Sequence, residues 1–202
     1  MTWETDIKFK AKQIQIVAGP NGSGKSTFAE SYFLRTQRSL VFLNPDLIAA
    51  GIGPLDFERA SFQAGRVLIG EIKSRIARGE NFSFESTLSG KSWVPILRQA
   101  ADQGYRVSIY FLFLSSIEKS LKRIAKRVQQ GGHSVPKSAV RRRYPRCFEN
   151  FWNLYRPLAE DWYVFDNSNK APKLILTKDE FEDFERDEQD SWSHWFLKGR
   201  KQ

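Results

Sequence analysis

Residues 19–26 read Gly19-Pro20-Asn21-Gly22-Ser23-Gly24-Lys25-Ser26 and follow the apolar run Ile14-Gln15-Ile16-Val17-Ala18. Glycine, four residues, then Gly-Lys-Ser, entered from an apolar strand and left into a helix, is the P-loop pattern. It commits the chain to a strand, a phosphate-sized loop and a helix N-terminus in fixed succession. The glycines let successive backbone N–H groups turn inward as a nest for phosphate oxygens. A helix expected from about Lys25 through Arg35 adds its N-terminal partial positive charge. In such a loop Lys25 reaches the β- and γ-phosphates and the Ser26 hydroxyl ligates Mg²⁺. Gly19, Asn21, Gly22, Ser23, Gly24, Lys25, Ser26 and Thr27 are therefore candidate nucleotide-binding residues.

The rest of the chain alternates short apolar runs with amphipathic stretches. Leu40-Val41-Phe42-Leu43 reads as a second strand and ends at Asn44-Pro45-Asp46. Phe57, Ala60, Ala64, Leu68, Ile72 and Ile76 recur at three- and four-residue spacing, which predicts a helix over 57–78. Phe82-Ser83-Phe84 is a third strand, closing on Glu85-Ser86-Thr87. Trp93, Ile96, Leu97, Ala100 and Ala101 mark a helix stopped near Gly104. The run from Val107 to Leu114 is almost wholly apolar, as expected of a central strand covered on both faces. There Tyr110, Phe111 and Phe113 read as core side chains, not base-stacking platforms. Ser115 and Glu118 are spaced as a capping box for a helix to about Gln130. Gly131-Gly132-His133-Ser134-Val135-Pro136 reads as a loop, and a helix is expected from Lys137 to about Glu160, bent or split by Pro145 and Pro157. Trp162–Phe165 and Lys173–Leu176 read as two closing strands. Residues 178–202 read as an acidic amphipathic helix with a frayed basic end.

Strands alternating with helices imply an α/β fold, a mostly parallel, doubly wound sheet with right-handed crossovers. Ligands bind such sheets off the carboxyl ends of the strands. The P-loop, Asp46, Glu85-Ser86-Thr87 and Ser115-Ser116 each follow a strand, so all converge on one edge. That edge is the expected active site. The expected organisation is a kinase-like domain over 1–177, with a lid at about 127–143, and a tail over 178–202.

Charge sharpens this picture. Lys and Arg number 32 against 23 Asp and Glu, a net +9, which favours an anionic partner. Ten of those basic residues lie between Lys119 and Arg146. No apolar run approaches the ~20 residues of a membrane helix, and the N-terminus lacks an apolar signal core. The single Cys147 excludes an intramolecular disulfide and fits a reducing compartment, so a cytoplasmic protein is expected.

A P-loop alone does not say what happens to the γ-phosphate. The Asn-Lys-x-Asp segment by which GTPases read guanine is missing, and the best apolar strand ends in Leu114-Ser115-Ser116 without the acid of a motor ATPase. Small-molecule kinases instead place a carboxylate near the acceptor hydroxyl and close a basic lid over the phosphates. Asp46, at the mouth of strand two, could accept the hydroxyl proton, or could simply cap a turn after Pro45. Glu85 and Thr87 could bind Mg²⁺ or a substrate hydroxyl, or cap the next helix. Arg127 ends one helix and Arg141, Arg142 and Arg143 open the next, on either side of a glycine hinge. Such a segment could swing charge onto a transferring phosphoryl group. Neighbours on a helix point ~100° apart, so one or two of these arginines serve at most. His133 reads as a hinge or structural residue.

Taken together, Gly19–Thr27, Asn44-Pro45-Asp46, Phe84-Glu85-Ser86-Thr87, Arg127 with Gly131-Gly132-His133-x-Val135-Pro136, and Arg142-Arg143-Tyr144 resemble the zeta-toxin family of P-loop kinases. The similarity covers roughly 13–176, in the family's shorter, Gly-Gly-His-containing branch. The resemblance implies a three-layer fold with a helical lid, ATP and Mg²⁺ at Lys25 and Ser26, and Asp46 as general base. It implies Glu85 at the metal, Thr87 on the sugar side, and Arg127 with Arg142 as phosphate clamps. The implied acceptor is a hydroxyl of a UDP-activated amino sugar such as UDP-N-acetylglucosamine, and the implied partner an antitoxin protein. This chain lacks the longer members' extra substrate-binding region. A kinase for another metabolite or a nucleic-acid end, and an ATP-switched binding module without transfer, are the competing readings.

Overall fold

A computed structural model describes residues 12–36, 40–53 and 57–187. Its centre is one six-stranded sheet in the order β2-β3-β1-β4-β5-β6. The strands are β1 (Lys12–Ala18), β2 (Val41–Leu43), β3 (Phe82–Ser86), β4 (Tyr105–Phe113), β5 (Asp161–Asp166) and β6 (Lys173–Thr177). The first five run parallel, joined by helical crossovers. β6 is antiparallel to β5, because the six residues 167–172 are too few for a crossover.

Period-two alternation sorts the strands' side chains into two cores. Ile14, Ile16 and Ala18 of β1, with Val107, Ile109 and Phe111 of β4, face one side. There they meet α3 (Phe57–Arg78), α4 (Trp93–Asp102) and α6 (Lys137–Asn150). Val17, Tyr110 and Leu112 face the other side and pack on Phe28 and Ala29 of α1 (Lys25–Thr36). The result is three layers, helix on sheet on helix. Tyr110 and Phe111 are buried core residues and Phe113 packs against the core, so none is a stacking platform.

The periodicity of 57–78 marks α3 at its observed bounds. Elsewhere local chemistry shifts the boundaries. α5 (Ile117–Gln129) is capped by Ser116, whose hydroxyl accepts from the Lys119 N–H at 3.2 Å, not by the expected Ser115–Glu118 pair. The Ser115 N–H is committed elsewhere, donating to Ser168 Oγ at 2.9 Å. The expected long helix from 137 ends as α-helix at Asn150, although Pro145 is accommodated inside it. A π-helical turn (Phe151–Tyr155) and a 3₁₀ turn (Arg156–Leu158) complete the segment. Pro157 has no N–H for the carbonyl four residues back, which favours the departure from regular α-helix in the last turn. The widened turn buries Phe151, Trp152 and Tyr155, with Phe151 stacked 4.3 Å from Phe111.

Two helices complete the elements. α2 (Pro45–Ile52) begins at an Asn44 N-cap whose side chain accepts from the N–H groups of Asp46 and Leu47. α7 (Lys178–Asp187) docks through Phe181, which is buried against Trp152 and Trp162. The expected basic end of the tail lies outside the described residues. Among those described, no helix is long and apolar enough to cross a membrane.

Candidate active site

The site lies at the carboxyl edge of the parallel strands, where β1 runs into the P-loop. The loop closes through a turn from Ser23 N–H to the Pro20 carbonyl, and Gly24 takes a left-handed φ of +85°. A Cβ on Gly24 would stand 2.7 Å from Asn167 Nδ2, so both backbone strain and space require glycine there. Asn167 Nδ2 donates to the Ser23 carbonyl at 2.7 Å, and the Ser120 hydroxyl donates to the Asn21 carbonyl. These contacts brace the loop from β5 and α5. Ser23 Oγ is buried without a hydrogen-bond partner, a donor left over inside the phosphate loop.

β3 is the direct neighbour of β1, with Glu85 in register opposite Val17. That places an acidic side chain beside the P-loop helix. Ser26 Oγ donates to Glu85 Oε2 at 2.7 Å, and Asn44 Nδ2 lies 3.4 Å from both oxygens. Lys25 Nζ donates to the Pro20 carbonyl at 3.0 Å and is 3.8 Å from Glu85 Oε1. Lys25 and Glu85 are 6% and 7% exposed, so the pair is held in a weakly solvated pocket where their attraction exceeds its value in water. A hydroxyl and a carboxylate oxygen within hydrogen-bond reach fit Mg²⁺, which takes one or two protein oxygens and completes its shell with phosphate and water.

Asp46 sits in the first turn of α2, one residue beyond Pro45, and it is Asn44 that caps the helix. His133 Nε2 lies 2.9 Å from Asp46 Oδ2, and Arg127 Nη1 lies 3.8 Å from the same oxygen. Burial pushes the Asp46 carboxyl up. The hydrogen bond from His133 and the positive field of His133, Lys25 and Arg127 outweigh burial and hold the group below the usual carboxylate range.

Beside these groups is a cleft of about 460 Å³. Its floor is the P-loop and the start of α1; its walls are Arg123, Ile124 and Arg127 of α5 and Asn169, Lys170 and Pro172 of the β5–β6 loop. Arg123 Nη2 donates to the Asn169 carbonyl at 3.2 Å and ties the two walls together. The arrangement offers a phosphate nest at one end, a slot between α5 and the loop for a base, and a carboxylate at the other side.

The structure thus brings together Lys25, Ser26, Glu85, Asp46 and Arg127 from the residues singled out in sequence. Thr87 lies two residues beyond Glu85 and is engaged with Ser89, Oγ to Oγ at 2.8 Å. Arg142 is exposed on α6 and is not among the residues lining the cleft; Arg141 is exposed too, and Arg143 is half-buried. Sequence reasoning missed the direct contacts of Asn44 with Ser26 and Glu85, the approach of His133 to Asp46, and the wall formed by Arg123 and 167–172. Arg123 is legible in retrospect, because it precedes Arg127 by four residues and shares its helix face.

A P-loop at the end of β1, an acid on the adjacent β3 and helices on both sheet faces define a P-loop nucleotide-binding domain of three-layer α/β type. A family model described as an AAA domain matches residues 14–149, and the chain belongs to that family. It is 34% identical over 126 residues to an uncharacterized protein of Haemophilus influenzae, covering 62% of this chain and 88% of the relative. Among solved structures, that of the PezAT chromosomal toxin–antitoxin system of Streptococcus pneumoniae matches with a TM-score of 0.66 at 15% identity, over 85% of this chain and 72% of that one. The AvrRxo1-ORF1:AvrRxo1-ORF2 complex with ATP matches with a TM-score of 0.62 at 14% identity, over 87% and 63%. At these identities the likeness is one of fold, and at that level the zeta-toxin resemblance holds.

Proposed function

We propose that this protein is a kinase that transfers the γ-phosphoryl group of ATP to a hydroxyl of a small, anionic acceptor. The observation that carries this reading is the position of Asp46. Its carboxylate lies within the field of Lys25, with Arg127 and His133 of the α5–α6 segment against it. Transfer to a hydroxyl needs a proton acceptor beside the phosphate, a role that nucleotide binding alone does not ask of Asp46.

The P-loop amides and Lys25 bind the β- and γ-phosphates, and Asn167 holds the loop in its binding shape. Ser26 and Glu85 would hold Mg²⁺, which neutralises charge building on the phosphates. Asp46 accepts the acceptor's hydroxyl proton as the new O–P bond forms and the bond from γ-phosphorus to the β–γ bridging oxygen breaks, releasing ADP. Arg127 lies where it can stabilise the charge on the phosphoryl group in flight. Arg142 is the second clamp only if the segment around the Gly131-Gly132 hinge carries it inward; Thr87, two residues beyond Glu85, would contact the acceptor.

Nucleotide sugars carrying an amino sugar are the first acceptors to test, since the motif resemblance points to them. The PezAT toxin–antitoxin system among the fold neighbours supports a protein partner, and we place the chain in the cytoplasm. The test is to incubate the purified protein with γ-labelled ATP and a panel of UDP-sugars, nucleosides and oligonucleotides, then locate the label by mass spectrometry. Label on a small-molecule hydroxyl supports the reading; ATP binding with no transfer to any acceptor removes it.

A further inference from the structure

Three contacts that no sequence motif explains converge on the acceptor side of the site. Asp46 Oδ2 takes the approach of His133 Nε2 at 2.9 Å. The segment after α5 is shaped to deliver the imidazole. The Gly132 N–H donates to the Arg127 carbonyl at 2.9 Å, and Arg127 Nη2 donates to the His133 carbonyl at 3.1 Å. A Cβ on Gly132 would stand 2.6 Å from Arg127 Cγ and 3.0 Å from its carbonyl oxygen, so this fold-back admits only glycine. The His133 side chain is 21% exposed, held against Asp46 and not extended into solvent.

We propose that His133 is a positioning residue of the transfer reaction, its Nε2 held 2.9 Å from Oδ2 so that the Asp46 carboxylate is fixed for the acceptor hydroxyl. The inference rests on the kinase reading above. The terminal torsion of an aspartate is broad, and a close polar contact on one side of the carboxylate narrows that freedom. A misaligned base loses the proximity advantage that makes a bound hydroxyl reactive. The imidazole arrives on the segment beyond the Gly131-Gly132 hinge, which Arg127 of α5 ties down through the His133 carbonyl. Closing that segment and orienting the base are therefore a single event, and an open segment leaves Asp46 unaligned toward stray water.

The test uses the full chain, ATP and the acceptor found by the panel, with H133A and H133Q compared with wild type. H133A is expected to lower kcat at least tenfold while leaving ATP affinity and thermal midpoint unchanged. H133Q restores an N–H near the position of Nε2 and is expected to recover most of the loss. A purely structural histidine would instead move the thermal midpoint and would not distinguish Gln from Ala. In parallel, a long-range ¹H–¹⁵N imidazole spectrum resolves the chain's two histidines, His133 and His194. D46N is expected to shift only one of them. Unchanged or raised kcat in H133A, a glutamine variant no better than alanine, or imidazole signals indifferent to D46N overturns the proposal while wild-type transfer keeps the kinase reading. Wild-type failure with every acceptor removes the kinase reading itself, and the role of His133 with it.

Discussion

Ser26 Oγ donates a hydrogen bond to Glu85 Oε2 at 2.7 Å, across the gap between the P-loop helix and the neighbouring strand. The pair exists because β3 lies directly beside β1 and runs parallel to it, so that Glu85 comes level with Val17. One oxygen from each residue suits a small, hard cation that keeps most of its water.

Glu85→Gln tests that pairing. The amide still accepts from Ser26 but carries no charge and leaves the buried Lys25 without its counter-ion, so the thermal midpoint should fall. Transfer should fall by about 10²-fold or more, with the Mg²⁺ titration moved to higher concentration. An unaltered Mg²⁺ titration would remove Glu85 from the metal.

Arg127 and Arg142 occupy different places. Arg127 lines the cleft and lies near Asp46; Arg142 is exposed on α6. Arg127→Ala should reduce kcat by about 10²-fold or more, in keeping with arginines that stabilise a phosphoryl group in transfer. Arg142→Ala should cost at least tenfold less. Equal losses in steady-state kinetics would mean that the α5–α6 segment moves far enough to bring both to the phosphate.

Acid stability follows from Asp46. Its carboxyl is held below the ordinary value, so it binds fewer protons folded than unfolded over the acid range. The stabilisation is therefore present above about pH 4, the unfolded aspartate value, and is lost as pH falls through the lower folded value. The side chain is 38% exposed, and solvent screening keeps the effect small. Asp46→Asn should flatten this part of the stability–pH curve, measured by denaturant titration from pH 6 to pH 3. A curve parallel to wild type would show that the His133 and Arg127 contacts do not favour the charged form.

What the sequence discloses here is what is local. The P-loop, the 3.6-residue rhythm of α3 and the apolar stretch of β4 each sit within a single window, and each matches the structure. α2 was not read from the sequence, which offered Asp46 as the possible cap, although Asn44 followed by Pro45 is a capping residue followed by a first-turn proline. The adjacent serines 115 and 116 offered two caps one residue apart, and only the tie from Ser115 to Ser168, which is set by the fold, selects between them. The site divides along the same line. Lys25, Ser26 and Glu85 follow from a motif and a strand end. The reach of His133 to Asp46, of Asn167 to the P-loop and of Arg123 to Asn169 spans 87, 144 and 46 residues, and no local pattern encodes such contacts.

The central claim is that Asp46 takes part in the chemistry and not in holding the nucleotide. Asp46→Asn measures this when ATP affinity by calorimetry is set beside single-turnover transfer to the acceptor. ATP binding within about threefold of wild type, with transfer lowered by about 10²-fold or more, is the predicted result. Transfer at close to the wild-type rate, or loss of ATP binding in step with activity, would contradict it.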